Sequence, residues 1–448
     1  ERLIALGYSN VALLAGGLQG WIEAGGEIFI DVNSPSKAFG ELVESRAHTP
    51  SLPAQEVHAL LQSGEPVVVL DSRRFDEYQT MSIPGAELVL RVRDLAPSPE
   101  TKIIVNCAGR TRSIIGTQSL VNAGVRNPIY ALRNGTIGWT LAGLALDHQQ
   151  NRRYGEVSET AQLQAARSAR KVADRAGVRQ ITLADLTALR QQTQRTVYLF
   201  DVRDAEEYAA GHLPGARHVP GGQLVQETDH YASVRGAKIV LVDDKKARAD
   251  MSASWLAQMG CDGAVVDNVS RQDFIEHGDW KPTVPPLPAL PEVEPAGLAA
   301  WLEAGDTQVL DFTTSANYVA GHIPGASWLQ RSLLTRTGSA ALPPAERYVV
   351  TCGSSLLARY AVEELSALTQ KPVTILKGGN AAWRAAGLPI QQGETRLLQP
   401  RDDRYRRPYE GTDNAASAMQ AYLDWEYGLI AQLDRDGTHG FNVLTPSA

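Results

Sequence analysis

Three stretches decide how this chain is read: DSRRFDEYQTMSIPGA from Asp71, DVRDAEEYAAGHLPGA from Asp201 and DFTTSANYVAGHIPGA from Asp311. Each runs sixteen residues without a gap. Each also follows a short apolar run, at 67–70, 197–200 and 309–310, of the kind that forms a buried strand ending at the Asp. The shared Pro-Gly marks a turn. Self-similarity of this sort means that one structural unit is repeated along the chain.

Working outward, each unit continues with a second strand: KIIVNC (102–107), KIVLVD (238–243) and RYVVTC (347–352). Two of these end in cysteine, Cys107 and Cys352, and one ends in Asp243. A helical pattern follows each strand, then a third strand and a Gly-rich turn into a Trp helix, RNGTIGW (133–139) and KGGNAAW (377–383). LAGGLQGW (14–21) repeats that last element with no Asp or Cys segment ahead of it. Residues 1–45 are therefore expected to be the C-terminal part of a truncated fourth unit. The chain starts at Glu1 rather than Met, and the native start and any targeting peptide are expected to lie upstream.

Alternating strands and helices of this length predict, in each unit, a doubly wound, mostly parallel α/β sheet flanked by helices. The expected domains are 50–149 with Cys107, 179–280 with Asp243 in place of Cys, and 292–393 with Cys352. Residues 150–178, rich in Ala and Arg, are expected to be a helical linker. Residues 281–291 belong to a stretch with six prolines by Pro295 and are expected to be a stiff extended linker. The units are then separable. In the tail, 394–448, Ala418, Tyr422, Trp425 and Leu429 fall at helical spacing and predict a docking helix.

At 448 residues the chain is long enough for several cores, and its 43% hydrophobic content is globular. No apolar run is long enough to span a bilayer. A net charge of -7, from 43 Lys plus Arg against 50 Asp plus Glu, argues against a broad nucleic-acid surface. The three cysteines are far apart, without a CxxC pair, so neither zinc nor a dithiol couple is expected. Free thiols imply a reducing compartment, and the expected location is the cytoplasm. No metal or other cofactor is expected.

The D-x-R-x-x-x-E-Y and G-H-I-P-G-A segment, the strand-terminal Cys and the late G-G-x-x-x-W turn together resemble the rhodanese superfamily, over most of the chain outside linkers and tail. The resemblance implies the rhodanese/Cdc25-like fold and transfer of sulfane sulfur from thiosulfate to cyanide or another thiophilic acceptor through a cysteine persulfide, with a protein acceptor as an alternative. The loop Cys107-Ala108-Gly109-Arg110-Thr111-Arg112 lies between a strand and a helix expected to begin near Ser113. Its amides and the positive helix end would favour the thiolate, the attacking form. Arg110 and Arg112 are expected to bind the anionic donor.

Cys352-Gly353-Ser354-Ser355 resembles the C-G-S-G-x-x-A loop of tandem sulfurtransferases but has Ser355 in place of the loop Gly. Its serines either bind a less charged donor or cap the next helix. The Asp243 unit, with Val269-Ser270 for Gly-Gly and Phe274 for Trp, is expected to be a catalytically dead spacer or docking module. Arg73 and Glu77, four apart, are expected to pair as scaffold. Cys261 is expected to be structural, and His212 and His322 to bond their turns. Two rival functions stand against this one. A phosphatase of the same architecture needs Arg six residues after Cys, where Ser113 and Ala358 stand. A non-catalytic scaffold fits the Asp243 unit but not an intact Cys107 loop.

Overall fold

The computed structural model describes all residues except 1, 6, 74–76, 79–88, 150–154, 282–288, 406, 409–414 and 446–448. Most of the first repeat, including Ser82 and its Pro-Gly turn, and most of the Pro-rich segment therefore lie outside the described residues. The chain forms two compact units: residues 1–281 with 407–448, and residues 282–406.

The first unit opens with α1 (Gly17–Glu23) and α2 (Ser34–Ala47). Its first sheet has strands β1 (Ser51–Leu52), β2 (Val67–Asp71), β3 (Lys102–Asn106) and β4 (Ile129–Leu132) in the order β1-β4-β3-β2. Between β3 and β4 runs α3 (Thr111–Asn122), and after β4 comes α4 (Gly135–Leu141). Helix α5 (Glu159–Arg175) leads to the second sheet, β5 (Arg179–Ile181), β6 (Val197–Asp201), β7 (Arg217–His218), β8 (Lys238–Val242) and β9 (Asp262–Val266), in the order β5-β9-β8-β6-β7. Within it lie α6 (Gly221–Gln226) and α7 (Arg248–Gln258).

The second unit repeats the plan with β10 (Glu292–Val293), β11 (Thr307–Asp311), β12 (Ser327–Trp328), β13 (Arg347–Thr351) and β14 (Val373–Leu376), in the order β10-β14-β13-β11-β12, followed by α8 (Gly379–Ala385). All pairings between these strands are parallel. The predicted fold class is what the structure shows.

The central strands explain why the sheets are parallel and covered on both faces. In β3, Ile103 and Val105 enter one core while Ile104 enters the other, and in β8 Ile239 and Leu241 alternate in the same way with Val240 and Val242. A strand with apolar side chains at both phases of the pleat has no face to offer water, so helices must cover both sides.

Two expectations are corrected by the packing. Residues 150–178 were expected to separate two modules. Instead α5 buries Ala165, Ala169 and Val172 in one core with Ala247 and Met251 of the following module, and Ala173 in the next core. Small residues at helical spacing let α5 approach closely, and Arg170 ties it to Asp250 at 2.7 Å. In the tail, the expected helix is α9 (Ala416–Asp436), but its buried stripe is Met419, Tyr422, Leu423, Glu426, Leu429 and Leu433. Ala418 is exposed. One member of that apolar stripe is a carboxylate.

Candidate active site

At the end of β3 the chain turns through Cys107, Ala108 and Gly109 into α3, which begins at Thr111 rather than Ser113. The Gly-rich turn before α4 braces this loop. Thr136 and Ile137 donate their amides to the carbonyls of Cys107 (2.8 Å) and Ala108 (2.9 Å). Gly135 has φ +53°, and a Cβ there would lie 2.4 Å from the Cys107 carbonyl oxygen. Only glycine fits this position. The second unit repeats the brace: Asn380 and Ala381 bond the carbonyls of Cys352 (2.9 Å) and Gly353 (3.0 Å), and a Cβ on Gly379 would meet Cys352 at 2.4 Å. Thus the distant Gly turn and the cysteine loop form one device. The Trp that follows closes each turn by bonding the carbonyl six residues on, Trp139 to Ala145, Trp383 to Pro389 and Trp21 to Glu27.

Cys107 is 1% exposed and 3.4 Å from the Ser113 hydroxyl. Burial pushes its thiol up, against the opposite pull of Arg112 and the Ser113 hydrogen bond. The expected depression by the loop is therefore outweighed in the resting site by desolvation.

Arg110 lines the cavity beside Cys107, but its guanidinium is held by other side chains. It is buried, its Nε and Nη2 bond the two Glu41 oxygens at 2.7 Å, it also pairs with Glu44, and its Nη1 reaches Tyr427 at 2.7 Å and Asn134 at 3.0 Å. Its guanidinium lies 3.9 Å over the Tyr427 ring. The charge assigned to a donor is spent on α2 and α9, a bidentate arrangement that clamps both onto the loop. Arg112 is bidentate to Glu77 at 2.8 Å and part-buried. The expected partner of Glu77 is thus replaced: Arg73 is bidentate to Asp71 (2.9 and 2.6 Å) and locks the turn leaving β2.

A small cavity of about 10 Å³ adjoins the cysteine, lined by 107–112 together with Gln226, Tyr422 and Glu426. Sequence reasoning placed Tyr422 only on the docking helix and missed Gln226 and Glu426, as well as Glu41 and Glu44. Only Glu426 left a signal, as a charge on an otherwise apolar helix face. Three buried atoms here, Thr111 Oγ1, Gln226 Oε1 and Glu426 Oε2, have no hydrogen-bond partner among the described residues. Glu426 is 1% exposed, and its carboxyl is pushed up to about 8 by burial and by Glu41, against Lys37.

The Asp243 loop displays what such a turn does for an anion. Its Oδ1 accepts the Lys245 and Lys246 amides, the latter at 2.9 Å, and its Oδ2 accepts those of Arg248 (2.7 Å) and Ala249 (3.1 Å). The turn at the strand end is a nest of converging N–H groups.

In the second unit Cys352 is also buried, but Ser354 is exposed and Ser355, at φ +64°, occupies a left-handed position that suits glycine. Its hydroxyl donates to the Leu376 carbonyl at 2.6 Å rather than capping the next helix. The next helical residues begin only at Ala358. Asp311, with Thr313 for Arg, keeps only the Thr313 amide and Asn380, and burial pushes it up to about 6. Cys261 packs against the core under α7. His212 and His322 each stack at 3.8 Å on a tyrosine, Tyr208 and Tyr318, and bond its carbonyl.

The model of the rhodanese-like domain matches at residues 53–142, 182–269 and 294–386. This chain belongs to the rhodanese-like family. It is similar to a crystal structure of a thiosulfate sulfurtransferase from Pseudomonas aeruginosa, with 63% identity and a TM-score of 0.95, covering 99% of this chain and 85% of that one. A solution structure of a rhodanese-like domain from Anabaena sp. is 30% identical over 26% of this chain and 90% of its own, with a TM-score of 0.21. As a member of this family, the chain sets its three rhodanese-like modules at β2–β3, β6–β8 and β11–β13 around the strand ends described above. No described helix is long and apolar enough to cross a membrane.

Proposed function

We propose that this rhodanese-like protein is a sulfurtransferase that takes sulfane sulfur from thiosulfate onto Cys107 and hands it to cyanide or another thiophilic acceptor. The observation that carries the reading is the placement of Cys107 at the head of a braced amide turn, where the equivalent Asp243 receives four backbone N–H bonds. A persulfide anion on Cys107 would present its charge to the same kind of turn. The identity to a protein named for this activity points the same way.

In this scheme Ala108, Gly109 and Thr111 supply the turn, and Arg112 supplies the charge nearest the sulfur, since Arg110 is already committed. Cys352, with Gly353, Ser354 and Ser355, is the secondary site: it lacks both an arginine in the loop and the helix that starts directly after it. The Asp243 module serves as structure. Thiocyanate formation from thiosulfate and cyanide tests the assignment. Cys107→Ser is expected to remove most of it, Cys352→Ser less, and Cys261→Ser almost none. Full turnover in Cys107→Ser would overturn the choice of Cys107.

A further inference from the structure

The Cys107 site contains an ionisable group that no rhodanese-like module supplies. Glu426 belongs to α9, which lies past the last residue matched by the family, 386. It nevertheless lines the same cavity as Cys107. Its Oε1 accepts the Tyr422 hydroxyl at 3.0 Å. Among the described residues its Oε2 has no hydrogen-bond partner, and it lies 3.2 Å from where a Cβ would stand on Gly109, a close approach of the carboxyl to the loop. An unpaired buried carboxyl oxygen is costly, and a group held there against a reactive thiol has a chemical reason to be present.

The surroundings remove the simpler explanation that Glu426 is an ion-pair partner of the loop arginines. Arg110 is saturated by Glu41 and Glu44, and Arg112 is bidentate to Glu77. On α2, Lys37 is paired with Asp31 at 3.0 Å and sits over the rings of Tyr422 and Trp425. The remaining titratable neighbour on α9 is Tyr427, bound to Arg110. Glu426 and Cys107 line the cavity together, and the Glu426 carboxylate is close enough to help push the Cys107 thiol up.

We propose that Glu426 is the proton carrier of the Cys107 reaction, taking the thiol proton when sulfur is loaded and returning it when sulfur leaves. This rests on the sulfurtransfer reading. In the first half, the proton passes from Cys107 Sγ to a Glu426 oxygen, the thiolate attacks the outer sulfur of thiosulfate, the new S–S bond forms, and the old one breaks with its electron pair leaving on sulfite. Cysteine thiol, carboxylate and thiosulfate become persulfide anion, carboxylic acid and sulfite, with no change in total charge. The neutral acid then donates a hydrogen bond toward the terminal sulfur. In the second half, cyanide attacks that sulfur, thiocyanate departs, and the Cys107 thiolate recovers its proton from Glu426.

A group that titrates near neutrality is matched to this task, and the sign of the pH effect follows. The carboxylate that accepts the proton appears as pH rises through about 8, so loading should accelerate over that range. The test is single-turnover persulfide formation on Cys107 from thiosulfate, followed by intact mass across pH, on the full chain. Glu426→Gln is expected to slow loading by roughly 10²-fold near neutrality and to abolish the rising limb, with Glu426→Asp recovering part of it. Tyr422→Phe removes a bond that favours the ionised carboxyl and should move the limb to higher pH. That shift decides the matter if Glu426→Gln does not fold. Wild-type rate and profile in Glu426→Gln, or an unmoved limb in Tyr422→Phe, would overturn the proton-carrier role while leaving sulfurtransfer standing. A wild-type chain that takes up no sulfur would sink both.

Discussion

The ends of β3 and β8 carry equivalent loops with different backbones and different anion chemistry: Lys246 is left-handed at φ +56°, where Arg110 stands at φ -120°. At Asp243 the carboxylate belongs to the chain, and the amides of Lys245, Lys246, Arg248 and Ala249 are satisfied by it permanently. At Cys107 the resting side chain is a buried thiol hydrogen-bonded to the Ser113 hydroxyl. One loop is filled by its own carboxylate; in the proposed function the other receives a charge that comes and goes. Each loop leans on its own module, Lys245 and Arg248 on Glu207 (2.7 and 2.6 Å) and Arg112 on Glu77 (2.8 Å), but the Cys107 loop is in addition clamped through Arg110 by α2 and α9 from outside it.

The largest expected effect comes from breaking that external clamp. Arg110→Ala leaves Glu41 buried without its partner and should destabilise the first unit by about 3–5 kcal/mol, measured by denaturant unfolding. Arg112→Ala touches a part-buried pair and should change stability little while weakening thiosulfate use, by about 1.5–3 kcal/mol for a lost charge-assisted contact. Equal behaviour of the two variants in both measurements would erase the distinction between a clamp and a donor-binding arginine.

A smaller effect is expected at the filled turn. Asp243→Ala should cost about 1.5–3 kcal/mol of stability, because the amides of a buried turn lose their acceptor and water reaches them poorly. Asp243→Asn should recover part of this through its carbonyl oxygen. Unchanged unfolding in Asp243→Ala would mean that the carboxylate is not what fills the turn. It would also weaken the analogy by which that module is used to read Cys107.

How much of this was legible in the sequence follows from the range of the interactions. The sheets were readable because β3, β8 and β13 are short β-branched runs bounded by turn residues, and because the repeat fixes three copies in register. The loop itself was readable because its chemistry is local: Cys107 to Arg112 is one turn. What was not readable is the company the loop keeps. Arg110 meets Glu41 sixty-nine residues away and Tyr427 three hundred and seventeen residues away, and spacing carries no trace of either contact. The role of α5 was misjudged for a related reason. An Ala-rich, Arg-rich helix looks the same whether it bridges two bodies or is buried between them, until its partners are known.

The central claim, that Cys107 is where sulfane sulfur is carried, is tested most directly by intact mass after incubation with thiosulfate. The account predicts a gain of one sulfur atom that is reversed by cyanide, present in the wild-type chain and in Cys352→Ser, and lost in Cys107→Ser. A persulfide that survives Cys107→Ser and disappears in Cys352→Ser would contradict it.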